Sequence, residues 1–186
     1  MDEGTIVRPA TDLTLTCYYD ADFVGLFRHD PDSAPSPAKS RCAFIISFSG
    51  CPLVWKSQLQ STIALSTAKS EYYSLSIAIR TLLPIRRLIL EVVQHVNLPE
   101  HMHLESHQFR ATVREDNTSA LNLATNQHIT SRTRHCHVRW HHFWENVQEG
   151  NAIVEYVETR EQNADYLTKS NVLVIFVDNR YRVQGW

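Results

Sequence analysis

Leu13-Thr14-Leu15-Thr16-Cys17-Tyr18-Tyr19-Asp20-Ala21-Asp22 sets the reading of this chain. Apolar and polar side chains alternate from Leu13 to Tyr19, with β-branched and aromatic members among them, and a period of two predicts a strand over 13–19. An acid, Asp20, marks its end. Three further acids follow at intervals of about fifty positions, each in a context of its own. Glu71 sits in Ala64-Leu65-Ser66-Thr67-Ala68-Lys69-Ser70-Glu71-Tyr72-Tyr73, and Asp116 ends Thr112-Val113-Arg114-Glu115-Asp116-Asn117. Asp165 lies in Gln162-Asn163-Ala164-Asp165-Tyr166-Leu167-Thr168-Lys169. A fold that gathers strand ends and helix faces would bring these four carboxylates together, where like charges repel unless cations neutralise them. The expected occupants are two hard divalent ions held by oxygen, magnesium first and manganese as a substitute.

The bulk composition sets bounds around that cluster. At 186 residues and 43% hydrophobic content the chain fits one domain with one core. Cys17, Cys42, Cys51 and Cys136 show no paired spacing, and no stretch resembles a signal peptide or a membrane span. The expectation is a reducing, intracellular compartment with free, mostly buried thiols and no membrane partner. A formal charge of −2 excludes nucleic-acid binding by bulk electrostatics, because affinity for phosphate scales with the Lys and Arg that neutralise it. Any such binding has to be local or assisted.

Residues 1–12 read as a polar lead-in, and the proline- and serine-rich stretch 28–39 as a loop beside the site. Arg41 to Phe48, the turn signal Ser49-Gly50-Cys51-Pro52 and Leu53-Val54-Trp55-Lys56 predict a hairpin. From Ser66 the period changes: Leu65, Ala68, Tyr72, Leu75 and Ile79 recur at three and four, as one buried helical face requires. Ser66 or Thr67 is the expected N-cap, and Pro84 is expected to kink or restart this helix. Beyond a polar, His-rich loop over 97–109 come a strand ending at Glu115, a short helix around 120–124 and a basic connection over 126–136. A helix over 138–148 stopped by Gly150, a strand over 152–157 and a short helix over 162–169 complete the order.

Several stretches are narrower signals than the order itself. Tyr19-Asp20-Ala21-Asp22-Phe23-Val24-Gly25, Trp55-Lys56-Ser57-Gln58, Ile63-Ala64-Leu65-Ser66-Thr67 through Glu71-Tyr72, Glu115-Asp116-Asn117-Thr118-Ser119-Ala120-Leu121, Arg132-Thr133-Arg134-His135 and Ala164-Asp165-Tyr166-Leu167-Thr168-Lys169 resemble the ribonuclease H region of copia-type retrotransposon polyproteins. The resemblance runs from about Gly4 to Lys169. It implies an α/β domain over 13–170, a ribonuclease H-like five-stranded mixed sheet flanked by helices. It also implies that 1–12 leads in from an upstream reverse transcriptase region and that 171–186 is a divergent tail.

By the same resemblance, Asp20, Glu71, Asp116 and Asp165 are both catalytic and metal-binding. The implied activity is magnesium-dependent endonucleolytic hydrolysis of the RNA strand of RNA/DNA hybrids, by in-line attack of water on the phosphodiester. Implied partners are the hybrid and the reverse transcriptase domain of the parent polyprotein, in cytoplasmic virus-like particles and the nucleus. Asp22 faces the same side of an extended strand as Asp20. The family pattern puts the ligand at Asp20 and leaves Asp22 as a substitute or supporting acid. The chain departs from the family at Lys69, where an acid is common, and over Val172 to Asp178, which is apolar where a basic helix is usual. No histidine stands in the Val157 to Gln162 loop, and no Tyr-x-Asp-Asp polymerase motif occurs.

Other readings stand beside these. Singly, each acid is more often an ordinary solvated residue, and the alternative for the whole is a decayed or domesticated fragment serving as a nucleic-acid or protein interaction module, against which the four intact acids weigh. A transposase or integrase of the same fold fits less well, since those place the glutamate last of three acids. His137 and His141, four apart on a helix, face one metal or, with Trp140, Phe143 and Trp144, simply pack. Arg132, Arg134 and Arg139 are a solvated strip or phosphate contacts, and Asn117 and Ser119 are candidates to read the 2′-hydroxyls that distinguish RNA. Trp55 is expected in the core, with Lys56 toward the substrate groove.

Overall fold

The computed structural model describes residues 7–25, 38–97, 109–125, 137–169 and 173–184, with 123–125 and 137–142 described as backbone only. Its elements run β1 (Leu15–Asp22), β2 (Arg41–Phe48), β3 (Cys51–Leu59), α1 (Thr67–His95), β4 (Ala111–Glu115), α2 (Thr118–Thr125), α3 (His137–Gln148), β5 (Ala152–Tyr156) and α4 (Leu173–Gln184). Two 3₁₀ turns, Thr159–Glu161 and Asp165–Leu167, lie between β5 and α4. The strands form one sheet in the order β3-β2-β1-β4-β5. β1 pairs antiparallel with β2 and parallel with β4, and β4 pairs parallel with β5, so the sheet is mixed. This is the α/β arrangement the resemblance implies.

The hairpin turn is tighter than its sequence suggests. Ser49 and Gly50 both take positive φ, 49° and 75°, a two-residue connection whose twist matches that of the flanking strands. Cys51 and Pro52 already belong to β3, where Pro52 is tolerated because β3 is the edge of the sheet. The register shifts between Ile46 and Ser47 opposite it. Edge position also corrects the reading of Trp55, which is 53% exposed, not core. Lys56 beside it is exposed as well.

α1 is one uninterrupted helix of 29 residues, so Pro84 does not restart it. Both Pro84 and Arg80, whose carbonyl loses its partner to the missing proline N–H, lie on the exposed side, where water can satisfy that oxygen. Ser66 caps the helix, its Oγ accepting from the Lys69 amide at 3.3 Å. The opposite face, with Tyr72, Leu75, Ala78, Ile79 and Leu82 buried, packs on Leu15, Cys17 and Tyr19 of β1 and on Phe44 and Ile46 of β2. Phe109 closes the core against Phe48 with the rings edge to face, 6.4 Å apart. Phe143 of α3 is buried there too, as the packing reading of that helix expects.

The short helix expected over 162–169 is a single 3₁₀ turn, Asp165–Leu167, entered through a turn at Gln162 to Ala164. The apolar tail forms α4, which buries Asn179 and Val183 and leaves Leu173 to Val177 exposed. Cys17, Cys42 and Cys51 are free and buried, and Cys136 lies outside the described residues. Among the described residues no helix is long and apolar enough to cross a membrane.

Candidate active site

Two parallel strands that part company make the site. β1 and β4 are paired from Leu15 with Ala111 to Tyr18 with Arg114, and there the ladder ends although β1 runs on to Asp22. The backbone groups freed at this fork need partners. Gln162, buried, supplies them: its Nε2 donates to Tyr19 O at 3.1 Å and to Arg114 O at 3.4 Å, and its Oε1 accepts from the Ala164 amide at 3.3 Å. The next residue on β1 is Asp20, while Glu115 ends β4 and Asp116 follows just past it.

Asp20 is thus inside β1 and not at its end, and it is buried. Its backbone oxygen is pinned by α1, where Ser74 Oγ stands 2.8 Å from Asp20 O and 3.1 Å from Ala43 O. Glu71, three residues before Ser74 and on the same helical face, is carried by that contact toward the same strand end. Asp20 Oδ2 accepts from Thr168 Oγ1, and its Oδ1 lies 3.6 Å from Lys169 Nζ. The same ammonium pairs with Asp165 Oδ1. Asp20, Asp22, Glu71, Asp116 and Lys169 line one cleft of about 570 Å³, with Asn117 and Thr118 at its side. Asp165 does not line it and meets it through Lys169.

The electrostatics follow from crowding. Burial, with repulsion from Asp165 and Asp116, pushes the Asp20 carboxyl up to about 6, against the lowering influence of Lys169 and the Thr168 hydroxyl. Glu71 is held well above the usual carboxylate range, first by burial and then by Asp20, Glu115 and Asp116. Its Oε2 is buried with no hydrogen-bond partner. Asp22 is raised by burial and by Asp165, with Lys169 and Arg41 opposing. Burial alone would lower Lys169, but Asp20, Asp165 and Asp116 around it raise it overall.

Two participants are absent from the sequence reading. Glu115 is fully buried, its Oε1 accepting from the Asn117 amide at 2.7 Å and its pKa pushed up to about 8, chiefly by burial. The signal was present: on β4 the inward positions are Ala111, Val113 and Glu115, an acid in the apolar register. The other is Lys169, whose spacing of four from Asp165 is that of a helical ion pair.

The remaining candidates divide. Asn117 Oδ1 accepts from the Ser119 and Ala120 amides at 2.9 and 3.1 Å, so it caps α2, and Ser119 is exposed beside it. Arg132 and Arg134 lie outside the described residues, and the side chains of Arg139, His137 and His141 do as well. Among the described residues no three His, Cys, Asp or Glu side chains are gathered as a ready metal-binding group. The Lys169 ammonium stands among these acids.

No protein-family model matches the chain. It is 32% identical over 159 residues to the retrovirus-related Pol polyprotein from transposon TNT 1-94 of Nicotiana tabacum, a match covering 86% of the chain. A second such polyprotein, from transposon RE2 of Arabidopsis thaliana, is 28% identical over 94% of the chain. The chain spans about a tenth of the length of these curated relatives. Among solved structures, LC11-RNase H1 in complex with an RNA/DNA hybrid superposes with a TM-score of 0.50 at 11% identity, covering 83% of this chain and 93% of that one. That likeness is one of fold.

Proposed function

This chain is a ribonuclease H fold homologous to a segment of the Pol polyproteins of copia-type transposons, and on that footing we propose that it hydrolyses the RNA strand of RNA/DNA hybrids. One observation carries the reading: Asp20 from β1, Glu71 from α1 and Asp116 just past β4 line a single cleft, although they lie far apart in the chain. The donor set suits a hard divalent cation. It is all oxygen, and Glu71 Oε2 is buried without a partner.

Asp20, Glu71 and Asp116 would hold magnesium, with Asp165 joining once Lys169 yields. Bound there, such ions supply Lewis acidity toward the phosphate and the leaving oxygen. The chain's own residues do the positioning. Thr168 fixes the side chain of Asp20 and Ser74 its backbone, and the α1 face fixes Glu71. Polar groups around Asn117, Thr118 and Ser119, of which Asn117 and Thr118 line the cleft, would read the 2′-hydroxyls that separate RNA from DNA. The partner in the intact polyprotein would be its reverse transcriptase domain, which would supply much of the substrate affinity that a net charge of −2 does not.

The test is direct. Purified chain with magnesium is expected to cut the RNA strand of a labelled hybrid, leaving 5′-phosphate and 3′-hydroxyl ends, and to spare duplex DNA. Asp116→Asn is expected to abolish cutting while leaving metal-free stability equal or higher, because one repelling charge is removed. Equal cutting of both duplexes, or full activity in Asp116→Asn, would overturn the reading.

A further inference from the structure

Asp20 has both carboxylate oxygens engaged from within the chain. Oδ2 accepts from Thr168, and Oδ1 is 3.6 Å from the Lys169 ammonium, which at the same time pairs with Asp165. Lys169 also forms part of the wall of the cleft with Glu71 and Asp116. A divalent ion approaching Asp20 Oδ1 or Asp165 Oδ1 therefore meets a positive charge already in contact with those atoms. Two cations cannot share them, since like charges at contact distance in a partly buried site repel strongly. The lysine has somewhere to go, however, because its side chain is 38% exposed on a flexible four-carbon stem.

We propose that Lys169 is the resident cation of this cluster: it holds Asp20 and Asp165 in place when no divalent ion is bound, and it has to withdraw into solvent for one to bind. Lys169 then sets how much magnesium the site requires. This role rests on the ribonuclease reading above. It accounts for the way Asp20, Asp22, Glu71 and Asp116 crowd one strand end in a folded chain with the ammonium among them.

The experiment strips the full chain with a chelator and titrates it with magnesium chloride by calorimetry, alongside thermal melts of the stripped protein. Lys169→Met is expected to bind magnesium about tenfold tighter than the parent, the difference one charge-assisted hydrogen bond makes, and to melt lower when stripped. Lys169→Arg, whose planar guanidinium grips two carboxylates more firmly, is expected to bind magnesium more weakly and to melt no lower. Should Lys169→Met not fold without metal, the weaker binding of Lys169→Arg decides by itself. Equal magnesium affinity in all three proteins would overturn the proposal. So would unchanged magnesium affinity with weakened hybrid binding in Lys169→Met, which would make the lysine a phosphate contact. A parent chain that binds no magnesium at all is a different result, and it overturns the ribonuclease reading together with this role.

Discussion

Glu115 shows what a single buried acid does to the energetics. Its carboxyl is raised from 4.5 to about 8, so the folded chain keeps a proton that the unfolded chain gives up. The sign follows from linkage: stability is fully present below about pH 4.5 and is lost as pH rises toward about 8, with Asp20 adding to the loss between 3.8 and about 6. The chelator-treated protein is therefore expected to melt at a lower temperature at pH 8 than at pH 5. Glu115→Gln keeps the Oε1 acceptor for the Asn117 amide and removes the charge. It is expected to raise stability at pH 8 by about 1–3 kcal/mol and to flatten the pH dependence, as urea melts at the two pH values would show. A variant with the parent's slope would place the titration elsewhere.

Between elements, the fork of β1 and β4 is the feature on which the rest hangs, and Gln162 is its fastener. Gln162→Ala leaves Tyr19 O and Arg114 O buried without a donor and frees the turn that carries Asp165, Thr168 and Lys169. We expect a loss of roughly 2–4 kcal/mol in urea unfolding, and hydrogen exchange that quickens around 162–169 before the rest of the sheet. Uniform quickening would make Gln162 an ordinary core residue. α1 offers a contrasting case. Pro84 sits in an exposed turn of an unbroken helix, so Pro84→Ala restores a hydrogen bond to Arg80 O and is expected to raise the melting temperature, by an amount equivalent to about 1 kcal/mol or more.

Taken whole, the molecule presents an acidic cleft on a chain of net charge −2, a poor magnet for nucleic acid. Substrate holding then depends on local cations, and Arg132, Arg134 and Arg139 are the clustered ones in the sequence. Hybrid affinity is expected to fall steeply with salt, by about 0.9 units of log K per unit of log salt for each phosphate contacted. The Arg132→Ala, Arg134→Ala double variant is expected to flatten that slope equally for all hybrid sequences, since phosphate contacts position a duplex without reading it. An unchanged slope in filter binding from low to moderate salt would make the strip a solvated face.

Local pattern alone was enough for the strand that carries Asp20, for the hairpin and for the α1 face through Tyr72, Leu75 and Ile79, because backbone period and turn chemistry act over a few neighbouring residues. Burial is another matter, since it depends on which surface folds over which. Trp55 came out exposed because β3 proved to be the edge strand, and Glu115 came out buried because β4 lies between β1 and β5. In the 162–169 segment helix is confined to one 3₁₀ turn, Asp165–Leu167, while the carbonyls of Tyr19 and Arg114, from strands remote in sequence, claim the Gln162 side chain. Most of all, that Lys169 stands among Asp20, Asp165 and Asp116 follows from bringing residues almost 150 positions apart to one point, and charge interactions of that range are invisible to any local reading of the chain.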